Sequence, residues 1–185
     1  MGKLNVFNSV SLDGYFVDRA GGMGWAHNEA ADPEWDAFVN GNASGGGLLV
    51  FGRITYQMMA GYWPTREAAR DNPEVARGIN AAPKVVFSRT LREAAWNNTR
   101  VLPGDLPSEI RSLKRTGDVA VLGSGNLVSQ LVAEGLVDEL QLVVVPVILG
   151  SGRTMFEGLR GPLRVKRTST RAFRNGNVLL CYRPA

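Results

Sequence analysis

The chain has 185 residues, 44% of them hydrophobic and 21% charged, a balance that fits one globular domain over residues 1–185 and excludes disordered, fibrous and membrane-embedded chains. Its longest apolar stretch, residues 140–149, is broken by Gln141 and Pro146 and falls short of the ~20 residues a membrane span needs. The formal net charge of +4 is scattered along the chain rather than gathered in a run, so no nucleic acid and no membrane is expected as a partner, whereas a phosphorylated small molecule would be drawn to the field.

Residues 3–10 open the chain as a β run, without the charged, apolar and small-residue regions of a signal peptide, and a cytoplasmic location is expected. Apolar runs at 48–51, 84–87, 119–122 and 138–147 read as buried strands of parallel type. Between them, helical spacing marks 34–40, 54–60, 73–80, 107–115 and 127–134, the last with Leu127 and Leu131 on one face. The run at 142–149 fits an interior strand and an interface strand equally well. Beyond it the character changes: 163–173 and 178–182 flank Arg174-Asn175-Gly176-Asn177, and Asn-Gly signals a tight hairpin. The basic residues of 164–167, with Arg171 and Arg174, alternate there as the solvent face of a strand. Strand and helix alternate before that hairpin, which predicts an α/β fold with a mixed, mostly parallel central sheet closed by a C-terminal antiparallel pair. Cys181 alternates with Leu179 as a small buried hydrophobe, and this single cysteine with the single His27 makes no metal site.

Three strand ends carry phosphate chemistry. Gly123-Ser124-Gly125-Asn126 follows the run 119–122 and opens the next helix; glycine lets backbone approach a ligand, and free N–H groups at a helix start attract phosphate. It lacks the third glycine and the opening position of a Rossmann fingerprint. Phe51-Gly52-Arg53-Ile54-Thr55-Tyr56 repeats the strand-to-helix arrangement, with Thr55 and the Arg53 guanidinium as donors. Ser88 and Arg89 close the run 84–87. Ligands of open α/β sheets sit beyond the carboxyl ends of strands, so three such ends point to one shared site.

In this order and context, Gly52-Arg53-x-Thr55-Tyr56, Ser88-Arg89-Thr90 and Val121-Leu122-Gly123-Ser124-Gly125 resemble the dihydrofolate reductase superfamily. Ser11-Leu12-Asp13-Gly14, and Pro146-Val147-Ile148-Leu149-Gly150-Ser151-Gly152 followed by Phe156, are similar to its riboflavin-biosynthesis reductase branch, the RibD C-terminal domain. The resemblance spans essentially the whole chain. It implies a single-domain, three-layer dihydrofolate reductase-like fold, NADPH as cofactor, and a homodimer. It implies a phosphate grip at Arg53, Thr55, Ser88 and Arg89, and a diphosphate and nicotinamide cover at Gly123, Ser124, Gly125 and Asn126. The implied reaction is hydride transfer to a C=N or C=O group of a pteridine-like or ribosylaminouracil-like substrate. The alternative is a ligand-sensing module that binds NADP(H) without turnover.

Gly21-Gly22-Met23-Gly24-Trp25 resembles the mobile active-site loop of dihydrofolate reductase, which implies substrate-side roles for Met23 and Trp25, with the Gly150 turn beside them. Ala31-Asp32-Pro33-Glu34-Trp35 resembles the helix start that carries that enzyme's catalytic carboxylate, although the stretch from Trp25 to Asp32 is longer here and matches only across a gap. Asp32 then stands as proton donor, with a pKa raised by withdrawal from water. Asp32 before Pro33 is equally a helix N-cap. Asp13 is a turn former or a site carboxylate.

Overall fold

The structure is a computed structural model and describes residues 1–27 and 30–185. Its strands are β1 (Leu4–Ser11), β2 (Tyr15–Asp18), β3 (Leu48–Gly52), β4 (Lys84–Phe87), β5 (Thr99–Leu102), β6 (Val119–Val121), β7 (Glu139–Val145), β8 (Gly152–Thr154), β9 (Val165–Ala172) and β10 (Val178–Pro184). The helices are α1 (Pro33–Ser44), α2 (Arg53–Tyr62), α3 (Arg66–Asp71), α4 (Pro73–Ala81), α5 (Leu106–Thr116) and α6 (Gly125–Ala133).

Eight strands form one sheet in the order β5-β4-β3-β6-β1-β7-β10-β9, and β2 pairs with β8 in a separate ribbon. Pairing is parallel from β5 through β7 and antiparallel on both sides of β10. The expected hairpin is present: Phe173 N–H donates to Asn177 O at 2.9 Å, and Gly176 takes φ +89° at the turn. β7 is interior, hydrogen-bonded to β1 on one edge and β10 on the other, so the run at 142–149 begins as an inner strand.

Strand alternation splits the core between the two faces of the sheet. Val6, Val50, Val85 and Val121 pack with Ile110 of α5 and Val128 and Leu131 of α6. On the other side Phe51 and Val86 meet Tyr56 of α2 and Val75 and Ile79 of α4. Toward β7 and β10 the same side holds Val143, Leu179, Cys181 and Phe173 under Trp35 and Phe38 of α1. Helix layers therefore lie on both faces of the sheet, as the three-layer expectation requires.

α1 has no buried residue along its length and leans on α4, where a Cβ on Gly78 would stand 2.4 Å from the Ala43 carbonyl oxygen. Backbone contact at that point lets the helices approach closely, and α1 bridges the two apolar clusters instead of lying flat on the strands. The strands β2, β5 and β8 and the helix α3 have no counterpart in the hydrophobic pattern. They have three to six residues each, too few to show a period. β9 also differs from expectation, since all eight of its residues are exposed: it is the outermost strand, and Arg171 pairs across it with Glu34 of α1 at 3.8 Å.

Candidate active site

β3 and β6 are hydrogen-bonded neighbours; β3 runs directly into α2, and β6 reaches α6 through residues 122–124. The two helix N-termini are consequently side by side at the carboxyl edge of the sheet. Gly52 N–H donates to Gly123 O at 3.0 Å, and Leu122 N–H to Val50 O at 3.1 Å, which locks the ends together. A Cβ on Gly52 would lie 2.6 Å from Ser124 Oγ and 3.3 Å from Ser124 Cβ, so glycine lets the two ends approach closely. Gly123 adopts φ +114°, and a Cβ there would stand 3.1 Å from Thr55 Oγ1. The Gly123-Ser124 peptide is cis. The first-turn N–H groups of α2 and α6 have no partner within their own helices, and two positive dipole ends converge on one spot.

The sequence-derived phosphate residues gather here. Arg53 begins α2 and donates to Gln57 Oε1 at 3.0 Å, while Thr55 is buried one turn in. Ser88 and Arg89 follow β4, the next strand along. Ser88 Oγ accepts from the N–H groups of Thr90 and Leu91 at 3.2 and 2.9 Å, forming the turn that presents Arg89 to solvent. Among the described residues, neither Arg53 nor Arg89 forms a salt bridge, so both guanidinium groups are open to an anionic ligand. Gly125 differs in part from its expected role. It is buried, and a Cβ would meet Met155 Cα and O at 3.2 Å, so its lack of a side chain serves the packing of α6 while its N–H group faces the helix start. Asn126 is exposed and its Oδ1 accepts from Gln130.

From this edge a cavity of about 400 Å³ runs along the sheet beneath α1, α2 and α4. Asn5, Phe7 and Ser9 of β1, Ala120 of β6 and Gln141 of β7 form its floor. Val39 and Ala43 of α1, Met58 and Met59 of α2, Trp63 just past its end, and Ile79 of α4 form its roof. Met23 and Thr55 also line it, which joins the cavity to the phosphate edge. Sequence reading missed the cavity floor, because Asn5, Ser9 and Gln141 look like ordinary alternating positions until register places Phe7 beside Gln141 and Asn5 beside Ala120.

Trp25 and Gly150 are not brought to the cavity. Trp25 donates from Nε1 to Gly22 O at 3.2 Å and packs against the cluster around Phe173. Gly150 lies in a second construction, in which Asp13 accepts from the N–H groups of Leu149 at 3.1 Å and Gly150 at 2.7 Å while Ser11 Oγ donates to it at 2.7 Å. The Ser11 hydroxyl and these amides hold the Asp13 carboxyl below its ordinary pKa. Asp13 is thus a clamp between the turn after β1 and the loop after β7, the turn-forming alternative.

Asp32 requires a correction. Its side chain is 1% exposed; Oδ1 accepts from Glu34 N–H at 3.0 Å and Trp35 N–H at 3.3 Å, and Oδ2 from Asn175 N–H at 3.1 Å. Burial alone would raise its pKa, but hydrogen bonds from Asn175, Trp35, Glu34 and Arg174 outweigh burial and hold it below the ordinary carboxylate value. The expected raised pKa is reversed, because the backbone amides solvate the anion in place of water. Asp32 caps α1, fastens it to the hairpin turn, and does not line the cavity. Residues 28 and 29, in the stretch leading to it, lie outside the described residues.

A mostly parallel sheet between helix layers, closed by an antiparallel pair, is a dihydrofolate reductase-like fold. The chain belongs to the RibD C-terminal domain family, whose model matches residues 2–179. It is similar to the uncharacterized protein YyaP of Bacillus subtilis (strain 168), 28% identical over 178 residues, covering 94% of this chain and 90% of that one. A putative riboflavin biosynthesis protein from Shewanella sp. PV-4 has a similar fold, with a TM-score of 0.75, 22% identity and 99% of each chain covered. So does a diaminohydroxyphosphoribosylaminopyrimidine deaminase/5-amino-6-(5-phosphoribosylamino)uracil reductase from Thermotoga maritima, with a TM-score of 0.68 and 16% identity, covering 100% of this chain and 57% of that one. Among the described residues, no helix is long and apolar enough to cross a membrane and no cluster of side chains is arranged to hold a metal ion.

Proposed function

We propose that the protein is an NADPH-dependent reductase acting on a C=N or C=O group of a pteridine-like or ribosylaminouracil-like substrate. The observation that carries this reading is the contact of Gly52 with Ser124, which sets the starts of α2 and α6 around one anion position. The fit to NADPH rests on the same feature: a cradle that a single Cβ would fill, flanked by two guanidinium groups free of carboxylates. Backbone N–H groups at the starts of α2 and α6 hold the diphosphate, and Arg53, Ser88 and Arg89 hold the ribose phosphate. When bound, NADPH supplies the hydride.

The cavity then holds the substrate against the floor of the sheet, with apolar walls that exclude bulk water. Its polar side chains near the carboxyl edge, Ser9 and Thr55, are uncharged and orient rather than ionise. Asp32 is committed to its cap, so protonation falls to a water molecule held by these groups. A homodimer, implied by the family resemblance, remains part of the proposal and is read by sedimentation.

Oxidation of NADPH, followed by its absorbance with pterins and aminouracils as acceptors, tests the reading. Substrate-dependent consumption is expected. Tight binding of NADPH with no consumption by either class would identify a sensor instead.

A further inference from the structure

The cavity is chemically uniform in one respect that the phosphate edge is not. Among the described residues, its lining includes no lysine, arginine or histidine. The one charged group is the carboxylate of Asp118, at the end remote from Thr55, where β6 begins. The remaining polar lining consists of amides and hydroxyls. One of those amides is incomplete: Asn5 Oδ1 is buried with no hydrogen-bond partner. Buried polar atoms are nearly always paired, and an orphan donor or acceptor costs stability. Here an acceptor is left over on the face of β1 that Asn5 shares with Phe7 and Ser9.

Asn5 lies on the floor beside Ala120 of β6 and Glu139 of β7. Phe7, two residues on along the same face, offers a flat apolar surface beside it. An amide next to an aromatic ring suits a planar heterocycle whose edge carries N–H and C=O groups. A side-chain amide can present either its oxygen or its nitrogen by turning about its last bond. A phosphate ester would be poorly placed: no cation lines the cavity to meet it, and an unpaired buried charge is costly.

Resting on the reductase reading above, we infer that the substrate is an uncharged, cyclic-amide heterocycle bound without a phosphate group, and that Asn5 is the residue that recognises its amide edge. The two arginines at the carboxyl edge serve the cofactor and are not shared with the substrate. The protein therefore departs in specificity from a reductase of phosphoribosylated pyrimidines while keeping the same fold.

Calorimetric titration of the protein with ribitylaminouracil and with its phosphate monoester separates the possibilities, since the two probes differ only in the phosphate. The free compound should bind on the order of a hundredfold more tightly, as expected for a dianion entering a cavity without a cation. Asn5→Leu should weaken the free compound about tenfold while leaving NADPH affinity unchanged, and it should not lower the thermal midpoint, because it removes an orphaned polar atom. Equal or tighter binding of the phosphate form overturns the inference, as does unchanged binding by folded Asn5→Leu or failure of both probes to bind. If the free compound binds as described and NADPH does not, the specificity stands and the cofactor assignment fails.

Discussion

Gly52→Ala isolates the feature on which the cofactor site depends. The backbone at Gly52 has φ −78° and ψ 159°, which any residue adopts, so the substitution introduces no conformational strain and acts through space alone. The new Cβ would stand 2.6 Å from Ser124 Oγ, 3.3 Å from its Cβ and 3.4 Å from its N. Rotating the hydroxyl relieves the first contact and the third is ordinary van der Waals contact, but the 3.3 Å approach to Ser124 Cβ remains, so the start of α6 must give by a few tenths of an ångström. Overpacking of this kind costs ~1–3 kcal/mol, partly offset by ~0.4–1 kcal/mol from the smaller freedom of the unfolded chain. At ~2–4 °C per kcal/mol for a chain of this size, the thermal midpoint should fall by no more than about 10 °C. Cofactor binding should suffer more. Losing one hydrogen bond to a charged phosphate removes ~1.5–3 kcal/mol, which is roughly tenfold to a hundredfold in affinity. NADPH titration by calorimetry, beside a thermal melt, gives both quantities. Adding Ser124→Gly to Gly52→Ala removes the opposing side chain and should restore much of the affinity. Wild-type NADPH affinity in folded Gly52→Ala would show that the two helix starts do not grip the cofactor.

Four further outcomes follow from the geometry. Asp32→Asn keeps a capping oxygen but turns the acceptor for Asn175 N–H into a donor; it should lower the thermal midpoint while leaving NADPH affinity and turnover per folded molecule unchanged, and a selective loss of turnover would return Asp32 to a catalytic role. The carboxyls of Asp13 and Asp32 are both held below 3.8, so their stabilisation is present above that pH and lost as pH falls through their folded values; circular dichroism should show acid unfolding below about pH 4, shallower in Asp32→Asn. Lys84 is 1% exposed, donates to the carbonyls of Asn80, Ala82 and Asn97, and has its pKa lowered to about 8 by burial. Between that value and 10.5 the unfolded chain binds more protons than the folded one, so stability should rise with pH across this window; a Lys84→Met protein that keeps the rise would contradict it. Gly125→Val should destabilise the fold through the backbone of Met155, read as a lowered midpoint without cofactor, in contrast to a pure cofactor-site defect.

Much of the fold is legible in the residues. The runs at 48–51 and 84–87 coincide with β3 and β4 to within a residue, because strands buried on both faces read as unbroken apolar runs. The Asn175-Gly176 turn is equally plain. Short, half-exposed β2, β5 and β8 leave no such trace, and their pairing depends on contacts far away in sequence: Tyr15 meets Thr154. The strand-end motifs were visible because glycine and arginine cluster there in the sequence, and the structure places them at the ends of three adjacent strands. The cavity floor was hidden for the opposite reason. An asparagine in a strand has many uses, and Asn5 stands out only when its oxygen is found buried and unpaired. Asp32 illustrates a third case: cap and catalytic acid call for the same residue at the same place, and only the three amides around it decide.

Titrating NADPH and NADH into the unaltered protein and into the Arg53→Ala/Arg89→Ala double variant tests the cofactor assignment most directly. In the unaltered protein NADPH should bind at least about tenfold more tightly than NADH, since a charge-assisted bond to the extra phosphate contributes ~1.5–3 kcal/mol; the double variant should bind the two alike. Equal affinities in the unaltered protein, or no binding of either cofactor, would contradict the assignment.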